Sequence, residues 1–158
     1  MTSTYPEVEA ALFSKLAAAC LTVTGAPALE LDEPRLVDPA EEDDDGDAEN
    51  RFRAVLMPGR IARAEPQLVN PPPWLLVTTF RVGLHGIGAD DAARRALVRA
   101  LASAIAGAID ADFTLGGVAS HVRGESLDTD TAKEQGFAPE NLLDLQIEVE
   151  WDSPTSFG

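Results

Sequence analysis

Val8, Leu12, Leu16 and Cys20 recur every four residues, with Phe13 and Ala19 widening the stripe. That spacing predicts an amphipathic helix of about 16 residues. Thr4-Tyr5-Pro6-Glu7 ahead of it has the form of a capping box, Thr4 accepting from the backbone and Glu7 reaching back. Thr22-Val23-Thr24-Gly25 loses the period and ends the helix. From 26 to 50 the pattern is irregular: Pro27, Pro34 and Pro39 break helices, and residues 29–37 leave room for a short edge strand.

Phe52-Arg53-Ala54-Val55-Leu56-Met57 and Arg60-Ile61-Ala62-Arg63 flank Pro58-Gly59. Pro at the second and Gly at the third position suit a type II turn, which predicts a β-hairpin. Asn70-Pro71-Pro72-Pro73 is a stiff lead-in to residues 74–84, where Leu76, Phe80 and Val82 share one face and Leu75, Val77 and Thr79 the other. A strand apolar on both faces belongs in the middle of a sheet. Residues 86–90, Gly-Ile-Gly-Ala-Asp, stop that strand and cap a second helix over 91–109. Its stripe is Leu97, Leu101, Ile105 and Ile109; Arg94, Arg95 and Arg99 lie nearer the other side, and its many alanines let it lie close on a sheet.

Leu115-Gly116-Gly117 makes the next turn, residues 118–122 a short strand, and residues 124–141 a polar arm. The last element has the clearest pattern. Leu143, Leu145, Ile147, Val149 and Trp151 alternate with Asp144, Gln146, Glu148 and Glu150, giving a strand with one core face and one acidic face. The whole reads as an α+β fold: a single antiparallel or mixed sheet packed against two α-helices, with a β-hairpin and a long polar arm. At 158 residues the chain is expected to be one domain, 1–158.

Charge narrows the function more than motif does. Twenty-seven Asp and Glu against 12 Lys and Arg leave a formal charge of −15, so the chain as a whole repels nucleic acid. The run 41–47, Glu-Glu-Asp-Asp-Asp-Gly-Asp, favours an exposed acidic loop over 40–50. No apolar run reaches the length of a membrane span, so no membrane partner is expected, and residues 1–10 lack the basic region of a signal peptide. Cys20 stands alone, which excludes an intrachain disulfide and fits a soluble product of a reducing compartment.

Candidate chemistry fails residue by residue. Aligning Gly46 with the EF-hand glycine puts Glu41, Asp43 and Asp45 at ligand positions but Phe52 where the bidentate Glu belongs. Gly83, Gly86 and Gly88 match neither the dinucleotide fingerprint nor the P-loop, and Asp90 and Asp91 oppose a phosphate there. His85 and His121 have no zinc-ligand spacing, no Ser occupies a nucleophile elbow, and Cys20 falls on the apolar stripe. No catalytic residue, cofactor or metal is expected, and the protein is not expected to be an enzyme.

The order of elements resembles the tail-terminator (tail-completion) proteins of long-tailed bacteriophages and related tail-like particles. The resemblance spans the opening helix, the long strand, the Ala-rich helix with Asp112-Phe113-Thr114-Leu115-Gly116-Gly117 directly after it, the arm and the alternating C-terminal strand. The acidic insert at 41–49 and Pro71-Pro72-Pro73 have no counterpart in the family pattern. The resemblance implies a homohexameric ring at the head-proximal end of the tail of a virion, made in the host bacterial cytoplasm. Such a ring docks on the major tail tube protein, halts polymerisation and meets the head-completion or stopper protein of the neck. DNA then passes through it without specific binding.

Under that resemblance Asp144, Glu148 and Glu150 are expected to line the lumen, where an anionic wall keeps phosphates from sticking. Arg94, Arg95, Arg99, Arg123 and Lys133 are expected at the subunit interface, with the arm and the acidic loop as further contacts. Three other readings fit the same residues. One is a head–tail connector or stopper of the neck, another a monomeric adaptor with an acidic partner-binding face, and the last an acid-tolerant or halophilic enzyme. On pattern alone the acidic stripe is also the ordinary solvent face of an antiparallel sheet.

Overall fold

The opening stripe folds as the pattern predicts. Helix α1 spans Tyr5–Leu21 and buries Val8, Leu12, Leu16, Ala19 and Cys20. Glu7 reaches back to the helix start, where its Oε2 accepts from the Thr4 N–H at 2.7 Å and the Thr4 hydroxyl at 2.9 Å. The Thr4 N–H holds the Glu7 carboxyl below its ordinary pKa. The computed structural model describes residues 2–31, 51–63, 74–87, 91–127 and 141–155. The acidic loop, Pro71-Pro72-Pro73 and the arm from 128 to 140 lie outside them.

Among the described residues six strands follow α1: β1 (Leu29–Leu31), β2 (Arg51–Met57), β3 (Ile61–Arg63), β4 (Trp74–Ile87), β5 (His121–Leu127) and β6 (Asn141–Ser153). The second helix, α2 (Asp91–Ala111), falls between β4 and β5. The strands form one mixed sheet in the order β1-β2-β4-β6-β5, with β3 also paired to β4. Only β1 and β2 run parallel; every other pair is antiparallel. This is the α+β fold expected, with β4, the strand apolar on both faces, in the middle.

The hairpin predicted at Pro58-Gly59 does not form. Strands β2 and β3 run the same way along one side of β4, with Met57 opposite Arg81 and Ile61 opposite Thr78. Four steps along one chain (57 to 61) match three along the other (81 to 78). Pro58-Gly59 therefore marks a one-residue bulge in a nearly continuous line of pairing along that side of β4. The reason lies at Gly59, where a Cβ would stand 1.0 Å from the Thr79 carbonyl oxygen. Only glycine lets the two backbones come that close, and the Thr79 N–H still donates to Arg60 O at 3.4 Å.

The ends of other elements also move. Strand β5 begins at His121 and runs to Leu127, so it takes in the first residues of the predicted arm, and β6 gains residues at both ends. Both helices lie on one face of the sheet. Their side chains and those of β2, β4, β5 and β6 form one core cluster. Val8, Leu12 and Leu16 of α1 are fully buried there, each contributing about 1.5–3 kcal/mol by area. From α2 the buried set is Leu101, Ile105 and Ile109, with Leu97 packed at the margin.

The centre of the core is Trp151, Phe80 and Thr78, all without exposed surface. A buried indole N–H needs an acceptor. Trp151 Nε1 donates to Thr78 Oγ1 at 3.1 Å, tying β6 to β4 from inside the core. Tyr5 stacks on Phe80 with ring centroids 6.1 Å apart and its hydroxyl donates to Glu9 Oε2; burial first, and then the Glu9 carboxylate, raises the phenol pKa.

Candidate functional site

A sheet with both helices on one face presents the other face to the surroundings, and no described helix or strand covers it. Its residues follow from the register. Glu148 of β6 lies opposite Thr79 of β4 and Arg123 of β5; Glu150 lies opposite Val77 and His121; Asp152 lies opposite Leu75. Gln146 sits between Arg81 and Glu125, and Asp144 takes the register position of Gly83 and Leu127. The face is thus divided. Leu75, Val77 and Thr79 give β4 a mostly apolar row, while Glu148, Glu150 and Asp152 give β6 an anionic one, all half-buried.

The structure brings together two residues that the sequence assigned to different places. Arg123, expected at a subunit interface, pairs through its guanidinium with Glu148, expected in the lumen. That pairing neutralises one carboxylate of the row within the chain. Of the other expected interface residues, Arg95 and Arg99 are exposed on α2. Lys133 and the side chains of Arg94 and Asp144 lie outside the described residues.

A second constellation sits where α2 ends. Asp112 Oδ1 accepts from the Thr114 N–H at 3.2 Å and the Thr114 hydroxyl at 2.9 Å. Its Oδ2 accepts from the Gly116 N–H at 2.8 Å and from Lys15 Nζ of α1 at 2.7 Å. This carboxylate organises three successive left-handed residues, Leu115 (φ 51°), Gly116 (φ 70°) and Gly117 (φ 91°). Leu115 holds that conformation while packing in the core, which offsets a backbone cost on the order of 1–3 kcal/mol. Lys15 first, then Thr114, holds the Asp112 carboxyl well below the ordinary carboxylate range. The Asp112–Gly117 junction carries the resemblance stated above, and in this chain it is a helix stop that feeds β5.

Sequence reasoning missed the structural roles of Asp112, Thr78 and Ser3. For Asp112 a signal existed, because Asp followed two residues later by Thr is a known local hydrogen-bonding pattern. Ser3 is buried, with its N–H donating to Asp152 O at 2.7 Å and its hydroxyl to Val118 O at 2.8 Å. Nothing in its neighbourhood in the sequence announces that contact.

For chemistry the described residues offer little. Cys20 is buried, and burial raises its thiol pKa, away from a reactive thiolate. His121 is exposed and touches the Phe113 ring at 5.7 Å. No group of three or more His, Cys, Asp or Glu among the described residues is placed to hold a metal ion.

A similar arrangement across nearly the whole chain is found in a solved structure. It is the sheath/tube terminator of an extracellular contractile injection system, PVC, in its extended state, determined by cryo-EM. The TM-score is 0.55 at 15% identity, over 97% of this chain and 57% of that one. The fold resembles that of a sheath/tube terminator. This chain spans just over half the length of that terminator, and at such identity the likeness is one of fold. No protein-family profile and no curated protein sequence matches the chain. The tail-terminator resemblance drawn from the order of elements therefore has a structural counterpart.

Proposed function

We propose that the protein is a structural tail terminator: a ring that caps the end of a tail tube, stops its polymerisation and offers a new surface to the next component. The observation that carries this reading is the fold likeness over 97% of the chain. The neighbour's own description names a terminator of tube and sheath, in keeping with the element order read from sequence. Capping is an equilibrium in which docked subunits cover the growing face, and no bond is made or broken.

In this reading six copies close head to tail at the head-proximal end of the tail. The major tail tube protein lies on one side and the head-completion or stopper protein of the neck on the other. DNA passes through the ring without specific binding. The net charge of −15 supports such a passage, since an anionic wall does not hold phosphates. Asp144, Glu148 and Glu150 are the residues assigned to that wall. Replacing all three with Lys should make assembled rings retain DNA at low salt; unchanged retention would remove the lumen assignment.

Light-scattering mass of the purified protein, with negative-stain imaging of the same fraction, tests the ring. A mass near six times 16.8 kDa with annular particles is expected. A compact monomer at every concentration would contradict a ring that forms in solution and favour a small acidic adaptor.

A further inference from the structure

An open sheet ends in rows of unused backbone N–H and C=O groups, and soluble proteins blunt such edges with short strands, Pro, Lys or a bulge. The two ends of this sheet differ in that respect. At one end β1 and β3 are three residues each. At the other, β5 is seven residues long, contains neither Pro nor Lys, and keeps an unbroken register with β6. Among the described residues no strand pairs with its outer side. Gly124 in its middle is exposed and has no side chain to cover the backbone. Phe113, 51% exposed, stands at the start of β5 with its ring against His121. Among the described residues Leu21 is the only other large apolar side chain left so open. An unblunted edge with an exposed aromatic beside it is suited to docking a strand.

Charge decides which strand a second copy offers. Residues 51–63, which form β2, β3 and the bulge between them, hold Arg51, Arg53, Arg60 and Arg63 and no acid. Strands β5 and β6 hold five acids, Glu125, Asp144, Glu148, Glu150 and Asp152, against Arg123, which is paired with Glu148. The other charged residues of the sheet are Glu30 of β1 and Arg81 of β4. The sheet is thus cationic toward β2 and β3 and anionic toward β5 and β6. Two β5 edges would bring two anionic ends together, whereas β5 against β3 brings opposite charges together. Arg60, Ala62 and Arg63 are exposed, and among the described residues no strand pairs with the outer side of β3.

Direction and level agree with that choice. Strand β4 is antiparallel to both β3 and β6, and β5 is antiparallel to β6, so β5 runs opposite to β3. A copy turned about a ring axis that lies along the strands keeps its strand directions. Its β3 then meets β5 antiparallel, the pairing found everywhere in the sheet except between β1 and β2. Ile61, Thr78, Val149 and Val122 form one row across the sheet, so a sideways copy brings β3 to the first residues of β5, where Phe113 stands. We propose that copies of this chain join edge to edge, β5 of one taking β3 of the next as a further antiparallel strand that covers Phe113. This joint rests on the ring reading and supplies its geometry. The two edges are opposite ends of one sheet, as a head-to-tail contact requires, and closing the ring leaves neither exposed. The open sheet face, with Glu148 and Glu150, stays uncovered.

Amide hydrogen exchange of the wild-type protein, assembled at high concentration and dissociated by dilution, reads the joint directly. On assembly the amides of residues 121–127 and 61–63 should exchange at least about tenfold more slowly, while those of α1 stay unchanged. Assembly that leaves 121–127 unprotected would overturn the joint, and protection of 121–127 without 61–63 would overturn β3 as its occupant. Two variants add to this. Phe113→Lys changes an exposed side chain and should keep the circular dichroism of the wild type while assembling at least about tenfold more weakly. R60E/R63E makes the cationic edge acidic and should weaken assembly in the same way. Either variant assembling like the wild type would overturn the proposal. Exchange is read on the wild type, so the test does not depend on a variant folding. A wild-type protein that never assembles overturns the ring reading and the joint together, whereas assembly without protection of β5 overturns the joint alone.

Discussion

Strand β6 has two faces with the same neighbours and opposite properties. Inward, Leu145, Ile147, Val149, Trp151 and Ser153 are all buried; outward, Gln146, Glu148, Glu150 and Asp152 stay partly exposed. Both sets sit between β4 and β5 and share one backbone ladder. The inner set is specified by volume and by one hydrogen bond. The outer set is specified by charge, and shape there is loosely constrained. Stability is therefore carried by the inner residues, and substitutions of the outer ones should leave it nearly unchanged.

The largest break is expected at the inner face. Trp151→Ala removes the largest fully buried side chain and should cost about 3–5 kcal/mol, seen as a large drop in the urea midpoint and a loss of near-ultraviolet signal. Thr78→Val keeps the shape but leaves the Trp151 indole N–H without its acceptor. A loss of about 1–3 kcal/mol is expected, measured by the same titration; an unchanged midpoint would show that the bond is idle.

Asp112 sharpens the comparison through pH. Its carboxyl is held below the ordinary range when folded, by Lys15 first and then Thr114. Folding thus favours the charged form. Its contribution is present above the ordinary carboxylate pKa and is lost as pH falls toward the folded value. Asp112→Asn should lower stability at neutral pH and flatten the loss between neutrality and about pH 3, followed by denaturant titration at each pH. The smallest effect belongs to the outer face. Arg123→Ala breaks an ion pair whose arginine is 62% exposed, and should change stability by no more than about 0.5 kcal/mol.

Elements with strong periodicity were legible from the residues. The α1 stripe, the two-sided β4 and the alternating β6 each appear where the pattern puts them, because burial on one or both faces dictates the pattern. Pairing was not legible at Pro58-Gly59. The same dipeptide suits a turn or a bulge, and the deciding contact, with Thr79, lies twenty positions away. The second half of β5 was hidden for a related reason: its polar residues pair along β6, where local polarity looks like a loop. Of the candidate surface, the acidic row was visible as alternation. Its partial neutralisation by Arg123 was not, since Arg123 and Glu148 are 25 positions apart. The clamp at Asp112 was visible as a motif without its mechanism, which needs Lys15 from another helix.

The central claim is that this protein caps a tube. The most direct measurement is negative-stain imaging of tail tubes polymerising from the major tail tube protein of the same genome, with and without this chain in substoichiometric amounts. Arrested tubes carrying a ring of the protein at one end are the predicted result. Tubes that grow to the same lengths, with no protein at their ends, would contradict the account.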